Sequence, residues 1–267
     1  MSRNEPYHRE RTFSALLAIA IDAVRINQTT VVTRDGRPFL LKRRRGGRGL
    51  IIAAGNVFLR LSHSRIVMFP NVRGWQAWEL ASFRLLYGDS YRYEAVGRDA
   101  VLTERLPGTD IRTLLAQDRL TDAALRAAGQ VFREAHALHS NYWELDWSHG
   151  DPHLGNVLYD SEQQRAFLID FETRHEFALS ANERHADDLL TFLLKLMGSD
   201  HTGRWQGWSQ RFLEAYDNPV VMPYLRKRLT VPFGLERVLW HTRTNHLPVF
   251  ELRTRLMLLK ALTETLC

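Results

Sequence analysis

The stretch His149-Gly150-Asp151-Pro152-His153-Leu154-Gly155-Asn156-Val157-Leu158, followed by Phe167-Leu168-Ile169-Asp170-Phe171-Glu172, constrains this chain more than any other. Gly150 and Pro152 argue against a helix through its start, and Phe167-Leu168-Ile169 reads as an apolar strand ending at Asp170. Three polar residues therefore recur at set intervals: Asp151, Asn156 five positions on, and Asp170 fourteen beyond that. An Asp beside a Gly is by itself an ordinary turn former. The spacing of the three, with an apolar strand before the last, is far more specific.

The chain changes character on either side of Pro107. Before it, Thr30–Thr33 and Pro38–Lys42 are β-rich runs around Arg34-Asp35-Gly36-Arg37, a hairpin signal that places Lys42 at a strand end. Trp75, Trp78, Ala81 and Leu85 fall at helical spacing and hold Glu79 on a helix ending near Gly88. Val101–Leu106 reads as a strand. Residues 46–70 fit a strand and a helix equally. After Pro107-Gly108, Thr109 or Asp110 caps a short helix through Leu115, and Thr121 starts a long one carrying Leu125, Ala128, Phe132, Ala135 and Leu138. His136 and His139 read as ordinary helix residues there. Beyond Glu183 the pattern is helical, interrupted at Gly198, Asn218-Pro219, Pro223 and Pro232. The expectation is an α+β protein with two unlike lobes, residues 1–105 strand-rich and 106–267 helical.

A length of 267 residues suits one two-lobed unit, and 45% apolar with 25% charged residues excludes a disordered or fibrous chain. The net charge of +6 is local. Residues 1–49 hold eleven basic and four acidic side chains, and Lys42 is the only Lys before Lys195. That basic segment, with Arg43, Arg44, Arg45 and Arg48, is either a solvated face or a patch facing phosphate or anionic lipid. The run Phe13–Ile21 is too short to span a bilayer and reads as an amphipathic helix rather than a signal peptide. Cys267 is the only cysteine, so no intramolecular disulfide can form, and a reducing cytoplasm is expected.

The Asp151, Asn156 and Asp170 pattern resembles the catalytic and metal-binding loops of the protein-kinase-like superfamily. The resemblance implies a two-lobed kinase-like fold that uses ATP and Mg2+, with Asp151 as catalytic base and Asn156 and Asp170 as metal ligands. Lys42 resembles the strand Lys that binds phosphates, and Glu79 its helix partner. A rival arrangement uses Gly46-Gly47-Arg48-Gly49 as the phosphate-covering turn, with Arg60 in the Lys position. Glu104-Arg105-Leu106 looks like the hinge that receives adenine, with Thr109-Asp110 near the substrate mouth. His149 would brace the loop. Asp188 resembles the helix Asp that ties down the loop backbone, although a capping acid fits that position nearly as well.

Several departures narrow the family. Glu172 stands where protein kinases have a flexible glycine. His153 replaces their Lys two residues after the base, as in small-molecule kinases, and no Ala-Pro-Glu lies between Asp170 and Asp188. Phe39-Leu40-Leu41-Lys42, Arg45-Gly46-Gly47 and Trp75-Gln76-Ala77-Trp78-Glu79 most resemble the bacterial lipopolysaccharide-core sugar kinases that act on heptose and Kdo. Over roughly residues 30–195 that likeness implies ATP, magnesium, a cytoplasmic location and an anionic glycolipid or sugar acceptor. Peripheral contact with the inner membrane surface follows from it, and no nucleic-acid partner is expected. The alternatives are an aminoglycoside- or choline-kinase-like enzyme, a compact protein kinase, and a pseudokinase that only binds. Acidic residues in the acceptor pocket would favour a cationic acceptor.

Overall fold

The computed structural model describes residues 26–266; the Phe13–Ile21 run and Cys267 lie outside them. Strands β1 (Asn27–Arg34) and β2 (Arg37–Arg44) form the expected hairpin, with Asp35 and Gly36 both at positive φ, 50° and 73°. Both central residues are left-handed because that turn follows the natural twist of paired strands. Lys42 sits inside β2, two residues before its end. The period of two puts Lys42 and Arg44 on the inner face and Arg43 outside, so Arg44 is buried, not part of a solvated patch. It donates to Phe69 O at 2.8 Å and lies over the Trp75 ring.

Residues 46–70, ambiguous by pattern, divide into helix α1 (Gly49–Leu61) and strand β3 (Ile66–Met68). Tertiary contact makes the choice: Gly55 lets α1 lie against Met68, whose side chain a Cβ there would meet at 2.3 Å. Helix α2 (Val72–Tyr87) is capped by the Asn71 side chain, which accepts from Gly74 N at 2.6 Å. It buries Trp75, Trp78, Phe83 and Tyr87. Strands β4 (Tyr93–Val96) and β5 (Ala100–Glu104) complete an antiparallel sheet of order β1-β2-β5-β4.

The chain leaves β5 through Arg105, whose N–H donates to Pro38 O at 3.0 Å, and reaches β6 (Thr109–Asp110) past Gly108. Any side chain at Gly108 would strike Tyr159 O at 2.5 Å. Asp110 caps helix α3 (Ile111–Ala116), and Thr121 caps α4 (Asp122–His136). Helix α4 stops at His136, so Leu138 falls outside it. Neither histidine is an ordinary helix residue: His139 belongs to the short strand β7 (His139–Ser140), and His136 is buried. Strand β8 (Leu145–Asp146) pairs with β7. Strands β9 (Val157–Asp160) and β10 (Arg165–Leu168) join β6 in a second sheet, and β11 (Thr173–His175) pairs with β3.

Helix α5 (Ala181–Ser199) begins with a reciprocal Ser180–Glu183 cap. It is followed by α6 (Trp205–Tyr216), α7 (Met222–Arg228), α8 (Gly234–Arg243) and α9 (Val249–Thr265). Phe132, Phe192 and Phe212 lock α4, α5 and α6 together with ring centroids 4.4 to 5.5 Å apart. This helical base underlies the 149–156 loop.

Candidate active site

A cavity of about 450 Å³ lies between the two main sheets, a size typical of small-molecule sites. Leu40 and Lys42 face it from β2, Glu104 from the end of β5, Leu106 from the connection, and Asn156 and Asp170 from the other side. At its inner end Lys42 Nζ lies 2.7 Å from Glu79 Oε1, 2.5 Å from Asp170 Oδ1 and 3.7 Å from Glu172 Oε1. Burial opposes the charge on Lys42, but these three carboxylates outweigh it and raise its pKa. Burial pushes Glu79 up against the pull of Lys42. Desolvation favours the neutral form of the half-buried Asp170, yet Lys42 holds it below its usual range. Glu172 is pushed up to about 7, first by burial and then by Asp170. It also accepts from Asn27 Nδ2 at 2.6 Å.

Asp170 has φ 71°, a left-handed conformation that Asp tolerates better than most residues. The sharp turn after β10 brings its carboxylate to Lys42. The 149–156 loop is held from beneath by Asp188 on α5, which is fully buried and accepts from His149 N at 2.7 Å and Gly150 N at 2.8 Å. Despite its burial, His175 and His136 keep this carboxyl below its usual range. His149 Nε2 donates to Ile169 O at 2.9 Å, joining the loop to the residue before Asp170. Asn156 Nδ2 donates to Asp151 O at 3.0 Å, and Ile169 N donates to Asn156 O at 3.0 Å. The three widely spaced residues of the motif are thus brought together by short backbone links.

Other sequence candidates have different surroundings. His153 caps the single 3-10 turn Leu154–Asn156, its Nδ1 accepting from Gly155 N at 3.0 Å. The Glu104 carboxylate is engaged by Arg37 and by Arg92 N at 3.1 Å each, while Leu106 is buried and lines the cavity. Arg60 is exposed on α1 and does not line this cavity, nor does any residue of the Gly46–Gly49 run. Lys42 lines the cleft and Arg60 does not. Pattern reading missed Asn27, Arg44, His136 and His175 around this network. Only alternation along β2 carried a signal for Arg44; the others come from distant elements.

The model of the lipopolysaccharide kinase (Kdo/WaaP) family matches residues 22–216. The chain belongs to that family. A Kdo/WaaP family member is a phosphotransferase that takes ATP as its phosphate donor. No curated protein matches the chain. Among solved structures, it is similar to a spectinomycin phosphotransferase in complex with ADP and spectinomycin, at 14% identity and a TM-score of 0.41, covering 91% of this chain and 86% of that one. An ethanolamine kinase from Plasmodium vivax is similar at 9% identity and a TM-score of 0.42, covering 85% and 84%.

Phosphoryl transfer from a nucleotide commonly employs a divalent cation that neutralises the phosphates, and the cleft offers oxygen donors toward one. Three carboxylates surround a single Lys, Glu79 Oε2 is buried without a partner, and Asn156 keeps its Oδ1 as an oxygen donor. Among the described residues no group of three or more His, Cys, Asp or Glu side chains is placed to hold a metal ion by itself. Magnesium needs none, because phosphate and water oxygens usually fill most of its shell.

Proposed function

We propose that this kinase transfers the γ-phosphate of ATP to a hydroxyl of a lipopolysaccharide-core sugar, with Asp151 as the base that accepts the hydroxyl proton. The observation that carries the reading is the convergence at one end of the cleft. Lys42, Glu79 and Asp170 meet there, Asn156 lines the same cleft, and the loop presenting Asp151 is pinned to Asp188 and to Ile169. Lys42 would hold the phosphates, Glu79 would hold Lys42, and Leu106 would flank the adenine. Asn156 and Asp170 would hold magnesium, which supplies charge neutralisation on the phosphates. Phosphoryl transfer needs little beyond positioning and charge stabilisation, and buried ties of this kind provide both.

Peripheral membrane contact belongs to the same reading. Arg43 and Arg45 are exposed next to α1, whose Leu50, Val57 and Leu61 present an exposed apolar face. An apolar helical face rimmed by basic residues suits an anionic lipid surface. No described helix is long and apolar enough to cross a membrane.

The test is transfer of labelled phosphate from ATP to core glycolipid taken from a strain lacking this gene. Labelling of that glycolipid, slowed by salt, supports the proposal. Efficient labelling of an aminoglycoside or a protein with none on the glycolipid would replace the substrate, and absence of any transfer would revive a binding role.

A further inference from the structure

The 149–156 loop separates two cavities. Asn156 lines the cleft, whereas His153, Leu154 and Gly155 line a second cavity of about 670 Å³ bounded by α3, α5 and the connection into α6. Its charged wall is mainly basic. Arg112 lies over Gly155, whose missing Cβ would come within 3.2 Å of the guanidinium carbon. Lys195 enters from α5, and His201 and Arg204 from the connection.

Two carboxylates share this cavity, and both are engaged. Asp118 pairs with Arg204. Asp200 accepts from Thr202 N at 2.9 Å, Thr202 Oγ1 at 2.6 Å and Trp205 N at 2.7 Å. Among the described residues Arg112 pairs with Asp110 at 3.8 Å, and its side chain is 70% exposed, so that pair holds it weakly. Lys195 donates to neutral acceptors, Thr242 O at 2.8 Å and Asn245 Oδ1 at 3.5 Å. Burial lowers its pKa, while Asp151 is the carboxylate that favours its charge. Lys195 therefore lies within electrostatic reach of the proposed base.

We propose that this second cavity is the acceptor subsite, and that Arg112 and Lys195 recognise a carboxylate or phosphate already present on the sugar to be phosphorylated. The inference rests on Asp151 being the base. In-line transfer places the attacking hydroxyl on the side of the phosphorus away from the leaving oxygen of the nucleotide, and this cavity is lined by His153, Leu154 and Gly155 of the loop that carries Asp151. A guanidinium and an ammonium are the groups that bind such anions. A polycationic acceptor would instead meet like charge.

Ligand-observed NMR titration of the full chain tests this with four probes: mannose 6-phosphate, mannose, Kdo and Kdo methyl ester. The expected result is that at least one charged sugar binds roughly tenfold more tightly than its neutral partner. Its identity separates a phosphate from a carboxylate as the recognised group. Arg112→Ala and Lys195→Met should each erase that preference without changing ADP affinity. Equal binding of charged and neutral sugars, or a preference that survives in both variants, overturns the proposal. If Lys195→Met fails to fold, the exposed Arg112→Ala decides alone. A protein that keeps the preference but transfers phosphate to no core sugar would instead refute the proposed function.

Discussion

Lys42 Nζ lies 2.5 Å from Asp170 Oδ1 although 128 positions separate the two residues in the chain. The same ammonium reaches Glu79, so one cation holds together carboxylates from α2 and from the turn after β10. Its side chain is only 12% exposed.

Lys42→Met should therefore abolish activity and also destabilise the protein. Removing one partner of a buried ion pair leaves uncompensated charge, at a cost on the order of 3 kcal/mol. Arg60→Met should change neither property by much, because Arg60 is exposed on α1. Urea denaturation and the KM for ATP measure both effects; the opposite ranking would return the phosphate role to Arg60.

Asp151→Asn should lower kcat by about 10²–10⁴-fold, the usual contribution of a positioned base, while ATP binding persists. The main-chain carbonyl of Asp151, which accepts from Asn156, is unaltered by the change. Near-normal turnover would remove Asp151 from its role.

Asp170→Asn should weaken the magnesium dependence of nucleotide binding, since a hard cation held by few protein ligands depends heavily on a charged carboxylate. Calorimetric titration of ADP with and without magnesium reads this out. The Lys42–Glu79 pair survives the substitution, so metal-free ADP affinity should change far less. An unchanged magnesium effect would exclude Asp170 as a ligand.

Glu172 gives the nucleotide-free protein a distinctive pH response. Its carboxyl is pushed from 4.5 up to about 7 by burial and by Asp170. Between those values the folded chain keeps a proton that the unfolded chain has released, so Glu172 makes stability fall as pH rises through that window. Glu172→Gln should flatten the fall. Urea midpoints at pH 5, 6, 7 and 8 compare the two proteins, and identical slopes would contradict the shift.

Much of the scaffold was legible along the chain because its causes are local. The Asp35-Gly36 turn, the Thr121 cap and the apolar spacing of α2 and α4 each depend on residues a few positions apart. The intervals among Asp151, Asn156 and Asp170 were equally visible, because the loop and the strand pair that carry them are contiguous. Other features depended on folding. Residues 46–70 became α1 and β3 through packing on Met68 and pairing with β11. Asp188, which sequence left between a capping acid and a loop tie, accepts from His149 and Gly150 because α5 crosses beneath the loop. The Glu172–Asn27 bond and the Arg112–Lys195 wall join residues 145 and 83 positions apart. Periodicity reports which face of an element is apolar, but it carries no information about which distant element will pack there, and charge networks arise from that packing alone.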